Sequence, residues 1–291
     1  MQTLKIGFQK TNLPVIAQQQ KTIETALEPL GTSVEWVEFS AGPPLVEALN
    51  VGAIHLGWTG DAPPIFGQSS GAAISYVAAL PANGLGEGII AKAEGPIKSL
   101  ADLKGKKVAV DKGTSAHNVL VAALEKNGLS LDDIEPVYLS PADGAAAFAS
   151  DNVDAWAVWD PFLAIAEVQH KPQVLVRAPE VVTVNTYFLG NSAFAKDPDN
   201  AQVIEKTIAA LAQSAAWADE NRDKVAQALH EVTNVPLEAQ QLAADRAEFG
   251  IFPLTAEIIA GQQATADRFF KLGLIPNEIR IEDALASAIA P

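Results

Sequence analysis

Four short loops hold the residues able to do chemistry in this chain: "QKTNLP" (9–14), "TGDAPP" (59–64), "KGTSAHN" (112–118) and "WDPF" (159–162). Each closes a strand-like run and opens a helix-like one. The candidates they carry are Gln9, Lys10, Thr59, Gly60, Asp61, Gly113, Thr114, Ser115, His117, Trp159 and Asp160. In parallel sheets such loops lie at the carboxyl ends of strands, where ligands bind. Helix starts offer free N–H groups and a partial positive charge, which suits an anion. One such loop alone is an ordinary α/β connection. Four of them, two in each half of the alternating region, favour a cleft.

The same residues argue against catalysis. The chain has no cysteine, which removes disulfides, thiolate metal sites and a thiol nucleophile together. "GQSSG" (67–71) matches G-x-S-x-G, but a nucleophile elbow runs from strand to helix and this stretch runs from helix to strand. Of the four histidines, His55, His117, His170 and His230, none has an i, i+4 partner or an acid at metal spacing, and only His117 sits in a candidate loop, as a donor. "LDDIE" (131–135) reads as an acidic helix start. No P-loop or calcium loop is present. Neither a cofactor nor a metal is expected, and reversible binding is favoured over turnover.

Charge placement narrows the ligand. All the arginines (Arg177, Arg222, Arg246, Arg268, Arg280) follow residue 176, outside the four loops. An anion there must rely on backbone N–H groups, on the hydroxyls of Thr59, Thr114 and Ser115, and on Lys10, Lys112 or His117. That suits a monoanion better than a phosphate. Trp156 and Trp159 lie on opposite faces of one strand. Trp159, nearer the turn, is assigned to the cleft and Trp156 to the core.

The elements that must position these loops alternate through residues 1–189. Strands are expected at 4–8, 34–39, 54–58, 74–80, 108–111, 136–139, 155–159, 173–178 and 186–190, with helices between them, the first over 14–27. Prolines in "GPPLVEALNVG" fit a first helical turn. At "LPANGLGEG" (80–88) glycines and a proline interrupt the alternation and mark a crossing. From about Pro198 only helices are expected, packed on the first lobe. The fold class is therefore α/β in two lobes, each a mixed, mostly parallel sheet flanked by helices. Residues 1–84 with 190–291 form one lobe and 85–189 the other, with hinges near 81–88 and 185–190.

The net charge of −15, without a long basic run, argues against nucleic acid or an anionic membrane as main partner. No apolar run approaches the ~18 residues of a membrane span. The chain opens "MQTLKIGFQK", directly into a strand with no leader in view. If the protein is exported, the expectation is a sequence trimmed of its leader and given Met1.

Beyond these patterns, "WVEFSAGPPLVEALNVGAIHLGWTGDAPPIFGQ", "IKSLADLKGKKVAVDKGTSAHNVLVAALEKNGL", "VYLSPADGAAAF", "VDAWAVWDPFLA" and "FFKLGLIP" resemble the aliphatic sulfonate-binding proteins of ABC importers. The wider group also binds taurine, nitrate and thiamine precursors. The resemblance implies a type II-like two-lobed protein, periplasmic or tethered at the cell surface and a monomer. It would close over a sulfonate and deliver it to a membrane permease for sulfur acquisition. By position, the implied ligand contacts are Gln9, Lys10, Thr59 to Asp61, Gly113 to His117, and Trp159 with Asp160. One departure is "FQKTNLPVIA", where relatives carry glycines after "QK", so the tail pocket is expected to differ. A different small ligand (taurine, nitrate or a pyrimidine) is the alternative. An enzyme on this fold is disfavoured, because the pyrimidine-precursor synthases need a cysteine-rich motif. A sulfonate accepts hydrogen bonds and donates none, so a carboxylate beside it repels. Asp61 should therefore cap the helix beginning near Ala62 or face a cation elsewhere on the ligand.

Overall fold

The computed structural model describes residues 2–10 and 12–286. The first stretch contains β1 (Thr3–Phe8), α1 (Asn12–Gln20), α2 (Thr22–Leu27), β2 (Ser33–Glu38), α3 (Gly42–Asn50), β3 (Leu56–Gly60), α4 (Ala62–Ser69) and β4 (Ile74–Pro81). Next come β5 (Glu87–Ala91), β6 (Lys107–Val110), α5 (Ser115–Lys126), β7 (Glu135–Tyr138), α6 (Pro141–Ala149), β8 (Ala155–Trp159), α7 (Phe162–His170) and β9 (Gln173–Arg177). The chain then returns through β10 (Asn185–Asn191) and α8 (Ser192–Ala195) to α9 (Ala201–Glu220), α10 (Arg222–Thr233), α11 (Leu237–Arg246) and α12 (Ala256–Lys271).

These strands form two five-stranded sheets, ordered β2-β1-β3-β10-β4 and β7-β6-β8-β5-β9. In each, four strands run one way and one runs against them. β10 is antiparallel to both β3 and β4, and β5 to both β8 and β9. Each opposed strand is the first that the chain lays down after crossing from the other sheet. Its amino end therefore falls on the edge where the parallel strands have their carboxyl ends.

Both sheets are covered on both faces, as near-continuous apolar strands require. In the first, Leu4, Ile6, Leu56 and Phe188 pack under α1, α2 and α9, while Tyr76, Tyr187 and Leu189 face α3, α4 and α12. In the second, Ile89, Val108 and Val110 pack under α5, and Ile90, Ala109 and Trp156 face α6 and α7.

Several expectations are corrected. The helix expected over 14–27 breaks at Lys21, whose φ of 53° is left-handed, giving α1 and α2. β3 begins at Leu56 rather than residue 54 and runs through Gly60, so Thr59 and Gly60 are strand residues. The glycine-rich stretch does not extend through residue 88 as a crossing, because Glu87 and Gly88 begin β5. β10, expected within the 85–189 lobe, pairs wholly in the first sheet, and the chain crosses between sheets over 82–86 and 178–184. The helical tail packs on the first lobe but also reaches the second. Ala239 and Ala243 of α11 meet Ala164 of α7.

Polar contacts join the lobes along the same seam. Arg246, at the end of α11, grips Asp160 through Nε at 2.6 Å and Nη2 at 2.5 Å, and Glu167 at 2.6 Å. Arg177 pairs with the same Glu167. Asp61 accepts from the Ala62 N–H at 2.7 Å and from Asn118 Nδ2 on α5 at 2.6 Å. Arg268 of α12 holds the Asn118 Oδ1 in turn. Gln262 Nε2 donates to the Asp61 carbonyl at 2.7 Å.

Two outcomes follow from this packing. A Cβ on Gly88 would lie 2.5 Å from the Val176 carbonyl, which is backbone and cannot rotate away. Gly88→Ala is expected to lower the unfolding free energy by about 1–3 kcal/mol in urea titrations. Unchanged stability would contradict the β5–β9 pairing. Burial pushes the Asp61 carboxyl up to about 6, against an ordinary 3.8, with the Asn118 and Ala62 hydrogen bonds opposing. The folded chain thus binds the extra proton, so this group's stabilisation is present below about pH 4 and lost as pH rises through 6. Relative to Asp61→Asn, the wild type should lose on the order of 2–3 kcal/mol of stability between pH 4 and 7. Parallel pH profiles for the two proteins would contradict it.

Candidate functional site

The carboxyl edges of the two sheets face each other across a small cavity of ≈ 60 Å³. From the first sheet it is lined by Gln9 after β1, Trp58, Thr59 and Gly60 of β3, Gly42 and Pro63 at two helix starts, and Thr186 of β10. The second sheet contributes Glu87 of β5, Thr114 and Ser115 at the start of α5, and Trp159 ending β8. Strand register explains two of these meetings. Thr186 lies opposite Gly60, and Glu87 lies opposite Trp159.

The cavity wall carries polar groups without protein partners. Buried polar atoms are nearly always hydrogen-bonded, so each exception calls for a reason. Among the described residues the buried side-chain atoms without a partner include Trp58 Nε1, Thr59 Oγ1 and Glu87 Oε2, all from residues of this one wall. The α5 start adds further unused donors. Its cap residue, Thr114, turns its hydroxyl to the Asp111 carbonyl at 2.6 Å instead of to the helix, leaving α5 without a side-chain cap. No side chain thus competes for the N–H groups of Ser115 and Ala116, while those of His117 and Asn118 turn to the Thr114 carbonyl. Gln9 is only weakly engaged, with Nε2 3.5 Å from the Trp58 carbonyl. Among the described residues no lysine or arginine lines the cavity.

Trp159 borders this cavity and two flanking clefts. One, ≈ 110 Å³, shares Glu87 and Thr186 and is walled by Leu80, Val184, Leu229 and Phe249. The other, ≈ 310 Å³, shares Gln9 and is walled by Phe39, Pro141, Phe162 and Val235. Trp156 is buried instead between Phe148 and the sheet.

Of the candidates, Gln9, Thr59, Gly60, Thr114, Ser115 and Trp159 are brought together around the cavity. The others are not. Lys10 turns outward to Glu38 at 3.4 Å and lines only the outer cleft. Asp61 is the cap of α4 and a strut to Asn118, both oxygens committed, so no ligand cation need be invoked for it. Asp160 is held by Arg246 and accepts from the Ala164 N–H at 3.0 Å. Gly113, with φ of +80°, makes the tight turn ahead of α5 and packs beside Phe66. His117 lies behind the loop, fully buried among Phe66, Tyr138 and Phe269. Burial, then the nearby Lys112, pushes it down to about 4. As a neutral ring it accepts the Gly113 N–H on Nδ1 at 3.2 Å, which steadies the loop rather than touching a ligand.

Sequence reasoning missed Gly42, Trp58, Pro63, Glu87 and Thr186. Gly42 and Pro63 sit in helix starts that were legible. A Cβ on Gly42 would lie 2.2 Å from Thr59 Oγ1 and 2.4 Å from Pro63 Cγ, so only glycine fits beside that hydroxyl. Glu87 and Thr186 carry no local signal, because each is placed by a strand that crosses between lobes.

Comparison with known proteins agrees with this architecture. The chain is 38% identical over 286 residues to an aliphatic sulfonates-binding protein of Escherichia coli (strain K12), covering 98% of this chain and 88% of that one. The alkanesulfonate-binding protein SsuA from Xanthomonas axonopodis pv. citri, solved bound to MOPS, superposes with a TM-score of 0.92 at 36% identity, over 98% of each chain. The periplasmic aliphatic sulphonate binding protein SsuA from Escherichia coli superposes at 0.88 with 37% identity, over 98% of this chain and 92% of that one. The NMT1/THI5-like family model matches residues 31–225, and with these likenesses the chain belongs to that family.

Proposed function

We propose that this chain is the solute-binding component of an ABC importer, taking an aliphatic sulfonate into the inter-lobe cavity and passing it to a membrane permease for sulfur acquisition. The observation that carries the reading is the cavity wall. It offers the unpartnered Thr59 hydroxyl, the unpartnered Trp58 N–H and an uncapped helix start, with no guanidinium or ammonium. A sulfonate needs donors on three oxygens and carries one charge. Neutral donors aided by a helix dipole suit it, the dipole contributing about 1 kcal/mol. The relatives named above, sulfonate-binding by name, support the same ligand class, and the Escherichia coli structure named as periplasmic supports the same place of work. Among the described residues no helix is long and apolar enough to cross a membrane.

In this reading Thr59, Gly60, Thr114 and Ser115 hold the head group, Gln9 closes its outer side, and the alkyl tail lies along Trp159 into a flanking cleft. The protein acts as a monomer. The crossings at 82–86 and 178–184 serve as the hinge, and the Arg246 and Arg268 contacts form as the lobes come together.

Four measurements test this. Titration calorimetry should show saturable 1:1 binding of a short alkanesulfonate, recovered unchanged by mass spectrometry; chemical conversion would overturn the reading. Thr59→Ala removes a hydrogen bond to a charged group and should weaken binding by roughly ten- to a hundredfold, about 1.5–3 kcal/mol. Trp159→Phe should abolish most of the ligand-induced fluorescence change, whereas Trp156→Phe should leave it. Small-angle scattering should report a smaller radius of gyration at saturation than without ligand, and an invariant profile would count against hinge closure.

A further inference from the structure

We propose that Glu87 meets the bound sulfonate as a neutral carboxylic acid and donates a hydrogen bond to it, so that capture of the anion requires one proton to stay on the protein. The proposal rests on the sulfonate reading above and concerns the one ionisable side chain of the cavity wall among the described residues.

Its geometry is set by the fold. Glu87 is the first residue of β5, paired in register with Trp159, and lines both the central cavity and one flanking cleft. Its Oε2 is buried without a hydrogen-bond partner. An ionised carboxylate in that position would need a counter-charge, and none is offered. The nearest guanidinium in the flanking cleft, Arg246, is committed to Asp160 and Glu167. Arg177, on the neighbouring strand β9, pairs with the same Glu167 and donates to the Leu85 carbonyl at 2.7 Å. From α4 and the end of β8 the facing groups are the Asp61 and Asp160 carboxyls, and from α5 only the uncharged Thr114 and Ser115.

The ligand's chemistry points the same way. A sulfonate oxygen accepts hydrogen bonds and stays ionised, so a carboxylate would repel it and a carboxylic acid would serve it. Burial, then the Asp61 field, raises Glu87 to about 8, with the Ser115 hydroxyl opposing and Asp160 adding to the rise. With the lobes joined the acid is therefore protonated at neutral pH. Binding holds it so, and ligand affinity must fall as pH rises through that range.

The test uses the intact chain and 1-butanesulfonate in phosphate, Tris and glycine buffers, since the common zwitterionic buffers are themselves sulfonates. Wild-type affinity should fall as pH rises from 6 to 9, by at most roughly tenfold per pH unit. Calorimetry over the same range in buffers of different ionisation enthalpy should show uptake of up to about one proton per ligand. Glu87→Gln keeps a donor of the same size but cannot ionise, and should show neither the decline nor the proton uptake. Glu87→Ala should bind more weakly at pH 6, without the pH dependence. Wild-type affinity that is flat to pH 10 without proton uptake would overturn the proposal, as would affinity that rises with pH or a Glu87→Gln profile matching the wild type. Proton uptake is read on the wild type, so it stands even if a variant fails to fold. Failure of 1-butanesulfonate to bind at pH 6 would overturn the sulfonate reading itself, whereas binding without pH dependence would remove only the role given to Glu87.

Discussion

An anion drawn from water into a closed cleft loses its hydration, and the wall around it must return those hydrogen bonds. This constraint orders the rest of the molecule. A wall of arginines would meet it with charge. This wall meets it with neutral donors, and neutral donors work only when they are held free of protein partners. Thr114 accordingly turns its hydroxyl away from its own helix, and the missing side chain of Gly42 leaves room beside the unpartnered Thr59 hydroxyl. Each is a small local loss that leaves a donor for the ligand.

Holding donors in readiness requires the two lobes to be aimed accurately, and that task falls to the charged residues. Arg246 and Arg268 both belong to the helical tail, and both reach across to the second lobe. Their placement late in the chain has its explanation here. The strong charges sit where the lobes touch, outside the cavity that receives the ligand. Asp61 shares this duty. It caps α4 in one lobe and receives the Asn118 amide from the other, so one buried carboxyl fixes a helix start and joins the two sheets. Asp160 does the same between α7 and α11. Two acids that sit beside the ligand in the sequence are thus consumed by positioning, as the electrostatics of an anion site require. Glu87 is the acid that remains on the wall, where its Oε2 is buried without a partner and burial raises its carboxyl above the usual range.

Local pattern carried much of this in advance. Alternating strands and helices, proline-opened helices and polar loops at strand ends are set by backbone sterics and side-chain period, which act over a few residues. Hence the two-lobed α/β class, the four loops, and the pocket positions of Thr59, Thr114, Ser115 and Trp159 could be read directly. The absence of cysteine and the arginine-free loops likewise constrained the chemistry without any coordinates.

Tertiary structure alone decided the rest, because the deciding contacts join residues far apart in the chain. β5 was hidden in a glycine-rich stretch, since a strand buried between two others needs no local alternation, and Glu87 was hidden with it. β10 read as a strand, but its pairing with β3 and β4 follows from the return crossing, and only that pairing brings Thr186 to Gly60. Lys10, Asp61, Gly113, His117 and Asp160 have the right chemistry at the right spacing. Their side chains or backbone are nonetheless taken by Glu38, Asn118, His117, the aromatic cluster behind the loop and Arg246. Spacing along a chain determines which loop a polar residue joins. Whether it is left free to touch a ligand depends on the partners that folding brings to it.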